Sequence, residues 1–132
     1  NDGGHVLCGG KRVGEKGFFI APTVIEGLKS ASACNQEEIF GPVVTIRSFK
    51  DEAKLLEMVN STQYGLAGSI FTRDMDKADY LSRHIHTGML WINTWMKRDL
   101  RTPFGGVKQS GLGREGGDYA LSFFTQTKTV TR

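Results

Sequence analysis

The chain has 132 residues, with 17 Lys and Arg against 14 Asp and Glu, and a formal net charge of +3. This length fits one domain or part of one. With 39% hydrophobic and 23% charged residues, the composition is that of a folded globular protein and excludes a disordered chain. The basic residues do not form a run, which argues against nucleic-acid binding. No apolar stretch reaches about 18 residues, so we expect no transmembrane helix.

The amino terminus and the cysteine content bear on the origin and compartment of the protein. The first five residues, Asn-Asp-Gly-Gly-His, are neither a signal peptide nor a start at Met, so we expect a segment of a longer chain. Cys8 and Cys34 provide no disulfide framework and are typical of a reducing compartment. The sequence therefore predicts a cytoplasmic protein.

The first half of the chain alternates short apolar runs with one helical pattern. Residues 5–8 predict a short strand, and residues 18–25 predict an edge or irregular extended piece because they contain Pro22. The β-branched run Val43–Ile46 predicts a buried strand. Asp51 can cap a following helix whose apolar positions share one face.

The second half continues this alternation. Residues 66–71 predict a second buried strand, Asp74 caps a second helix, and residues 89–92 form a third strand after Gly88. Strands that alternate with helices over short connections indicate an α/β fold in which helices flank a parallel sheet. The chain then predicts, in order, a long ordered Gly-rich loop over residues 103–117, a helix around Tyr119, Leu121 and Phe124, and a Thr-rich strand over residues 127–131.

Some sequence patterns suggest sites that their surroundings do not support. Residues 111–116 match G-x-G-x-x-G, but the dinucleotide fingerprint needs a strand just before it and an acidic residue about 20 positions later. His84 and His86 lie near the end of a predicted helix, where cations are favoured, and further ligands are scattered, so we expect no metal site. Cys8 and Cys34 have no neighbouring base in sequence, and Cys8 fits a small buried residue.

Two loops are better candidates for ligand binding. Residues 37–42 place a carboxylate, an aromatic ring and a Gly-Pro turn before a predicted strand, and so offer an acceptor for ligand hydroxyls beside a flat apolar surface. Residues 93–98 begin where a parallel strand ends, which is the expected position of a ligand site. From the residues alone, the first can also be an unusual loop. The second can be a surface loop with a solvated Arg98, which the adjacent Asp99 could neutralise.

These loops, with residues 64–67 and 103–111, resemble the C-terminal part of an aldehyde dehydrogenase. The resemblance covers nearly the whole chain, with the motifs in the right order. The segment 91–95 followed by 98–104 is most similar to one branch, the 2-aminomuconic and 2-hydroxymuconic semialdehyde dehydrogenases.

The resemblance implies an architecture and an activity. Residues 1–123 would be the C-terminal part of the α/β catalytic domain, and residues 124–132 an oligomerisation strand. The parent would be an NAD(P)-dependent homodimer or homotetramer that oxidises an aldehyde, a muconic-type semialdehyde, to the acid through a Cys thioester. The family's nucleophilic Cys and general-base Glu would lie upstream, so we expect the isolated chain to be inactive. The alternative is an inactive folding or oligomerisation module.

The same resemblance implies cofactor-binding residues for NAD, with NADP not distinguished. Glu38 matches the glutamate that binds the nicotinamide-side ribose hydroxyls, and Phe40 matches the aromatic residue that packs beside the nicotinamide. Leu66 corresponds to an apolar residue that lines this pocket.

The resemblance also implies substrate-binding residues. Asn93 begins the loop at the substrate funnel, and Phe104 is the aromatic wall of the funnel. Arg98 matches the arginine that binds the substrate carboxylate in the muconic semialdehyde enzymes. A guanidinium suits this role because it binds a carboxylate through two parallel hydrogen bonds.

Overall fold

In the computed structural model, which describes residues 2–132, the chain divides into two units, Asn1–Thr62 and Gln63–Arg132. The sequence did not predict this division, but the boundary falls in the polar segment that separates a predicted helix from the next predicted strand. Each unit has its own helices and its own parallel strand pair.

The first unit is built on a mixed sheet. Its strands β1 (His5–Cys8), β2 (Thr23–Glu26) and β3 (Val43–Ile46) lie in the order β1-β2-β3, with β1 antiparallel and β3 parallel to β2. The prediction of an edge or irregular piece over residues 18–25 is confirmed for residues 18–22, which form only an isolated bridge at Ile20. It is wrong for β2, because this strand lies between the other two. Pro22 directly precedes β2, so its missing N–H removes no ladder hydrogen bond.

The strands of the first unit are less buried than the sequence suggests. The strand at residues 43–46 is confirmed, but Val44 and Ile46 are about half exposed (53% and 51%), so one face of β3 is open. Cys8 is exposed on β1, which contradicts the prediction of a buried residue there. The reason is the same in both cases, since hydrophobicity predicts a strand but not whether both of its faces are covered.

The helices of the first unit are α1 (Ala33–Gln36) and α2 (Glu52–Asn60). The predicted cap is confirmed at α2, where the Asp51 side chain accepts a hydrogen bond from the backbone N–H of Lys54 at 2.7 Å. Thr23, the first residue of β2, and Leu28, which follows the strand, are buried. The Thr23 hydroxyl donates to the carbonyl oxygen of Ala21.

The second unit contains the predicted strand–helix–strand arrangement. Strands β5 (Ala67–Ile70) and β6 (Met89–Ile92) are parallel and pair in register from Ala67↔Met89 to Ile70↔Ile92. The connecting helix buries Ala78 and Leu81, and Ile70 is also buried. Its elements in order are β4 (Tyr64–Gly65), β5 (Ala67–Ile70), α3 (Met75–His84), β6 (Met89–Ile92), β7 (Val107–Lys108) and α4 (Gly117–Phe124).

The Gly-rich loop of the second unit is ordered, as predicted. Strand β7 within it pairs antiparallel with β4, and Phe104 and Glu115 exchange backbone hydrogen bonds of 2.7 and 2.8 Å. A Cβ on Gly88 would overlap the carbonyl oxygen of Gly105, so the loop approaches the start of β6 as closely as glycine permits. Because β7 is antiparallel, residues 111–116 do not sit in a βαβ unit, and they are not a dinucleotide fingerprint.

The carboxyl end of the chain differs from its prediction. Helix α4 confirms the helix around Tyr119 and ends at Phe124, and residues 125–132 belong to no helix or strand. The strand over residues 127–131 is therefore absent, because a strand forms only where another backbone pairs with it. Pairing of residues 124–132 with a second chain stays a prediction. Within residues 2–132, no helix is long and apolar enough to cross a membrane.

Candidate functional site

The second unit encloses a cavity of about 580 Å³ beside the loop that leaves β6. Arg98 and Phe104, which the sequence places at the substrate entrance, both line it. Glu115, which the sequence analysis did not single out, lines it as well. Its other lining residues include Met89, Leu90, Trp91, Lys97, Leu100, Ala120 and Phe124.

Arg98 makes two side-chain contacts in this cavity. Its guanidinium carbon lies 4.3 Å from the centroid of the Phe104 ring. Its Nη2 donates to Oε1 of Glu115 at 3.3 Å, and the side chains of the pair are 45% and 62% exposed. A cation on a ring at an exposed site is worth about 0.5–1 kcal/mol. An exposed ion pair contributes about 0–1 kcal/mol. Arg98 is thus oriented by weak contacts, and its charge is not locked into a buried pair.

Asp99 does not neutralise Arg98. Its carboxylate accepts hydrogen bonds from the Arg101 side chain, at 2.6 Å from Nη2 and 2.9 Å from Nε, and from the Arg101 backbone N–H at 2.9 Å. The side-chain bonds, and after them the backbone bond, lower the pKa of Asp99, and the side-chain bonds raise the pKa of Arg101. The pair is exposed and screened by water, so it contributes little stability.

Trp91 fixes the loop that carries Arg98. The indole Nε1 of Trp91 donates to the carbonyl oxygen of Lys97 at 2.8 Å. The Trp91 ring also meets Trp95 edge to face, with centroids 5.2 Å apart. Because Lys97 directly precedes Arg98, this hydrogen bond ties the backbone at the arginine to strand β6.

Asn93 occupies the predicted position after β6, but its side chain has a structural partner. Its Oδ1 accepts from the backbone N–H of Thr72 at 2.9 Å, and its Nδ2 donates to the Thr72 carbonyl at 2.8 Å. Its φ of 54° lies in the left-handed region, which Asn tolerates better than most residues. Asn93 therefore clamps the ends of β5 and β6 together, and its contact with a substrate stays a prediction.

Leu66 lies between β4 and β5 and is nearly half exposed (47%). It lines a second cavity of the same unit, of about 340 Å³, together with Phe104 and the Gly-rich loop. Phe104 is thus a wall of both cavities. The role of Leu66 in a nicotinamide pocket stays a prediction.

In the first unit, the loop after α1 presents Glu38 and Phe40 to solvent. Phe40 is 93% exposed and has a φ of 51°, a conformation that is rare for bulky residues. Two residues later, the Pro42 carbonyl accepts a 2.8 Å hydrogen bond from the backbone N–H of Thr23, which ties the loop to β2. Such outliers persist where the surrounding structure enforces them and often mark functional positions.

The described residues contain no arrangement for nucleophilic or metal chemistry. The Cys8 thiol lies 3.9 Å from the Pro22 carbonyl oxygen, and within residues 2–132 neither Cys8 nor Cys34 has a hydrogen bond with a His, Asp or Glu side chain. No group of three or more His, Cys, Asp or Glu residues in this range could hold a metal ion.

Comparison with known proteins decides the family. The model described as "Aldehyde dehydrogenase family" matches residues 1–130. The chain belongs to this family. It is 50% identical over 128 residues to an aldehyde dehydrogenase of Emericella nidulans, which covers 97% of this chain and 26% of that protein.

Two further aldehyde dehydrogenases extend the comparison. The 2-aminomuconic semialdehyde dehydrogenase of Danio rerio is 44% identical over 115 residues, which is 87% of this chain and 24% of that protein. The NAD+ complex of an aldehyde dehydrogenase from Bacillus cereus has a TM-score of 0.91 and 39% identity, over 97% of this chain and 26% of that one. This likeness confirms the predicted fold class. The chain spans about a quarter of the length of the relatives it matches.

Glu115 is the residue that sequence reasoning missed. Its contact with Arg98 joins residues 17 positions apart and depends on the backbone bridge between Phe104 and Glu115. A possible signal was the spacing of Gly111, Gly113 and Gly116, which all have φ between 77° and 153° and turn the loop back. Glycine spacing predicts a turn, but it does not predict which residue the turn brings opposite Phe104.

Proposed function

We propose that the chain is the C-terminal part of an NAD(P)-dependent aldehyde dehydrogenase that oxidises a muconic-type semialdehyde to the carboxylic acid through a Cys thioester. The family match over residues 1–130 supports the reaction class. Similarity to a 2-aminomuconic semialdehyde dehydrogenase supports the substrate branch. Similarity to a structure solved with NAD+ supports the cofactor.

The exposed loop of the first unit fits a nicotinamide cofactor, which supplies the hydride acceptor when bound. Glu38 presents an exposed carboxylate, which accepts hydrogen bonds from ribose hydroxyls. Phe40 presents a ring face that the chain itself leaves uncovered and that can pack beside the nicotinamide. Leu66, in the second unit, is assigned to the cofactor separately, from the family resemblance and its half-exposed apolar side chain.

The observation that carries the substrate assignment is the guanidinium of Arg98, held over Phe104 in the cavity beside β6. The contact with the ring uses none of the N–H donors of the guanidinium, Glu115 accepts from one of the five, and a substrate carboxylate can bind two. Phe104 then forms the apolar wall for the carbon chain, and Asn93 fixes the start of the loop. Substrate orientation of this kind lowers the entropic part of the barrier.

Three further assignments complete the proposal. The parent is a homodimer or homotetramer in which residues 124–132 pair with another subunit. Its compartment is the cytoplasm. NAD is the cofactor, and use of NADP is decided by residues that this chain does not supply.

The test of the substrate assignment is Arg98→Ala in the full-length parent. Arg98 is 45% exposed in this chain, but in the proposal a substrate that fills the cavity excludes water from its pair with the guanidinium. Loss of one partner of such a desolvated pair costs about 2–5 kcal/mol, which is roughly thirty- to several-thousand-fold. We expect kcat/KM for a carboxylate-bearing semialdehyde to fall at least about thirtyfold. The value for hexanal should stay unchanged, because no carboxylate is left unpaired.

Arg101→Ala is the matched control, because Arg101 is 89% exposed and pairs with Asp99. It should leave both substrates unaffected. Equal losses on both substrates with Arg98→Ala would mean that Arg98 is structural. No loss on either substrate would mean that it is a solvated surface residue, and the substrate class would be wrong.

A further inference from the structure

The carboxylate of Glu115 accepts a hydrogen bond from Nη2 of Arg98, one of the nitrogens through which the guanidinium would bind an acidic substrate. The contact is a single hydrogen bond from Nη2 at 3.3 Å, and the carbon of the same guanidinium lies 4.3 Å from the centroid of the Phe104 ring. The neighbouring carboxylate of Asp99 is engaged by Arg101. Glu115 is therefore the acidic side chain that meets Arg98 in the described part of the cavity.

We propose that Glu115 is a positioning residue that holds the Arg98 guanidinium over Phe104 before substrate arrives and competes with the substrate carboxylate for it. This inference rests on the proposed function, since it requires Arg98 to bind an acidic ligand. It makes Glu115 a determinant of the preference for acidic over neutral aldehydes.

The backbone fixes Glu115 in this position. Glu115 and Phe104 exchange two backbone hydrogen bonds, so the ring and the carboxylate are set side by side. The next residue, Gly116, lies so close to the preceding loop that a Cβ would be 2.5 Å from the Thr102 carbonyl oxygen and 3.1 Å from that of Leu100. This packing brings Glu115 next to the segment that carries Arg98 without any contribution from its side chain.

The strength of the contact permits exchange. The side chains of Arg98 and Glu115 are 45% and 62% exposed, and exposed ion pairs change an equilibrium by at most about fivefold. A substrate carboxylate that binds two parallel donors of the guanidinium forms a stronger, charge-assisted pair. The substrate therefore displaces Glu115 at a small cost in affinity.

The experiment measures binding rather than turnover, so it does not depend on the activity of the variants. The full-length parent is titrated with muconate, a dicarboxylate of the proposed substrate class, by isothermal titration calorimetry at low salt. We expect Arg98→Ala to weaken binding at least about thirtyfold. We expect Glu115→Gln to tighten it about two- to fivefold. Glu115→Ala should act in the same direction, because it also removes the competing charge.

The double variant is the control for the mechanism. In the Arg98→Ala background, Glu115→Gln should change muconate affinity little, because the group for which it competes is gone. A residue that merely supports the loop would weaken binding when replaced and would do so in both backgrounds. Circular dichroism verifies that each variant is folded.

The outcomes separate this inference from the proposed function. The inference would be overturned if both Glu115 variants bound muconate more weakly than, or as tightly as, the wild type while Arg98→Ala still weakened binding. The proposed function would then still stand. If wild-type parent did not bind muconate, or if Arg98→Ala changed nothing, the proposed substrate class would be wrong and the inference would go with it.

Discussion

The guanidinium of Arg98 contacts one aromatic ring and one carboxylate, and these two contacts affect an arriving anion differently. The guanidinium carbon lies 4.3 Å from the centroid of the Phe104 ring, and the ring attracts the cation without accepting a conventional hydrogen bond from it. Glu115 takes one donor and part of the charge. The ring is therefore a permanent support for a carboxylate site, whereas the carboxylate is an exchangeable partner.

Glu38 carries the cofactor prediction at the scale of single residues. Hydrogen bonds in which one partner is charged contribute about 1.5–3 kcal/mol, and Glu38→Gln removes that charge. In the full-length parent we expect NAD+ to bind about tenfold more weakly, or hydride transfer to slow because the nicotinamide is misplaced. Cofactor titration and steady-state kcat measure the two effects.

Glu37→Gln is the matched control for this prediction. It makes the same chemical change one residue earlier, at an exposed position that caps the end of α1 through its backbone N–H. It should leave the cofactor affinity unchanged. Unchanged affinity together with unchanged kcat in Glu38→Gln would refute the assignment of Glu38.

The elements that the sequence predicts best are those with a local chemical signal. Asp51 and Asp74 each accept a hydrogen bond from the backbone N–H three residues later, so a cap and an apolar period were enough to locate α2 and α3. The pairing of β2 between β1 and β3 was not predictable, because pairing partners are distant in sequence. For the same reason, the sequence indicated Arg98 as a candidate but not its partner Glu115.

The hydrogen bond that caps helix α3 leads to a prediction about the stability of the chain. The Asp74 side chain accepts from the Lys77 backbone N–H at 3.0 Å, and replacing such a cap by Ala costs about 0.5–2 kcal/mol. We expect Asp74→Ala to lower the free energy of unfolding by about 1 kcal/mol, as measured by urea denaturation.

Asp79→Ala is the control, because Asp79 is exposed within the same helix and is not its cap. It should change the free energy of unfolding by less than about 0.5 kcal/mol. Equal losses in the two variants would show that the hydrogen bond from Asp74 does not stabilise the helix.

At the scale of the whole molecule, much apolar surface is exposed. Among residues 2–132, the buried hydrophobic side chains are Leu28, Ile70, Ala78 and Leu81. In contrast, large side chains such as Phe18 and Leu112 are 101% and 94% exposed. A chain of this length that folds alone normally buries about two-thirds of its surface and so has a larger core than these four side chains. This exposure supports the proposal that the chain works as part of a longer protein.

The last prediction concerns the activity of the chain by itself. Oxidation through a thioester requires a thiolate, which in such enzymes is activated by a neighbouring base or a lowered pKa. In residues 2–132 the thiols of Cys8 and Cys34 have no hydrogen bond with a His, Asp or Glu side chain. We therefore predict that the isolated chain produces no NAD(P)H from an aldehyde that the full-length parent oxidises, as followed by absorbance of the reduced nicotinamide. Production of NAD(P)H that Cys8→Ser or Cys34→Ser abolishes would show that the nucleophile lies within this chain after all.

The mass of the native polypeptide provides the complementary measurement. A mass close to that of the relatives supports a full dehydrogenase, and a mass close to 14.6 kDa supports an inactive module.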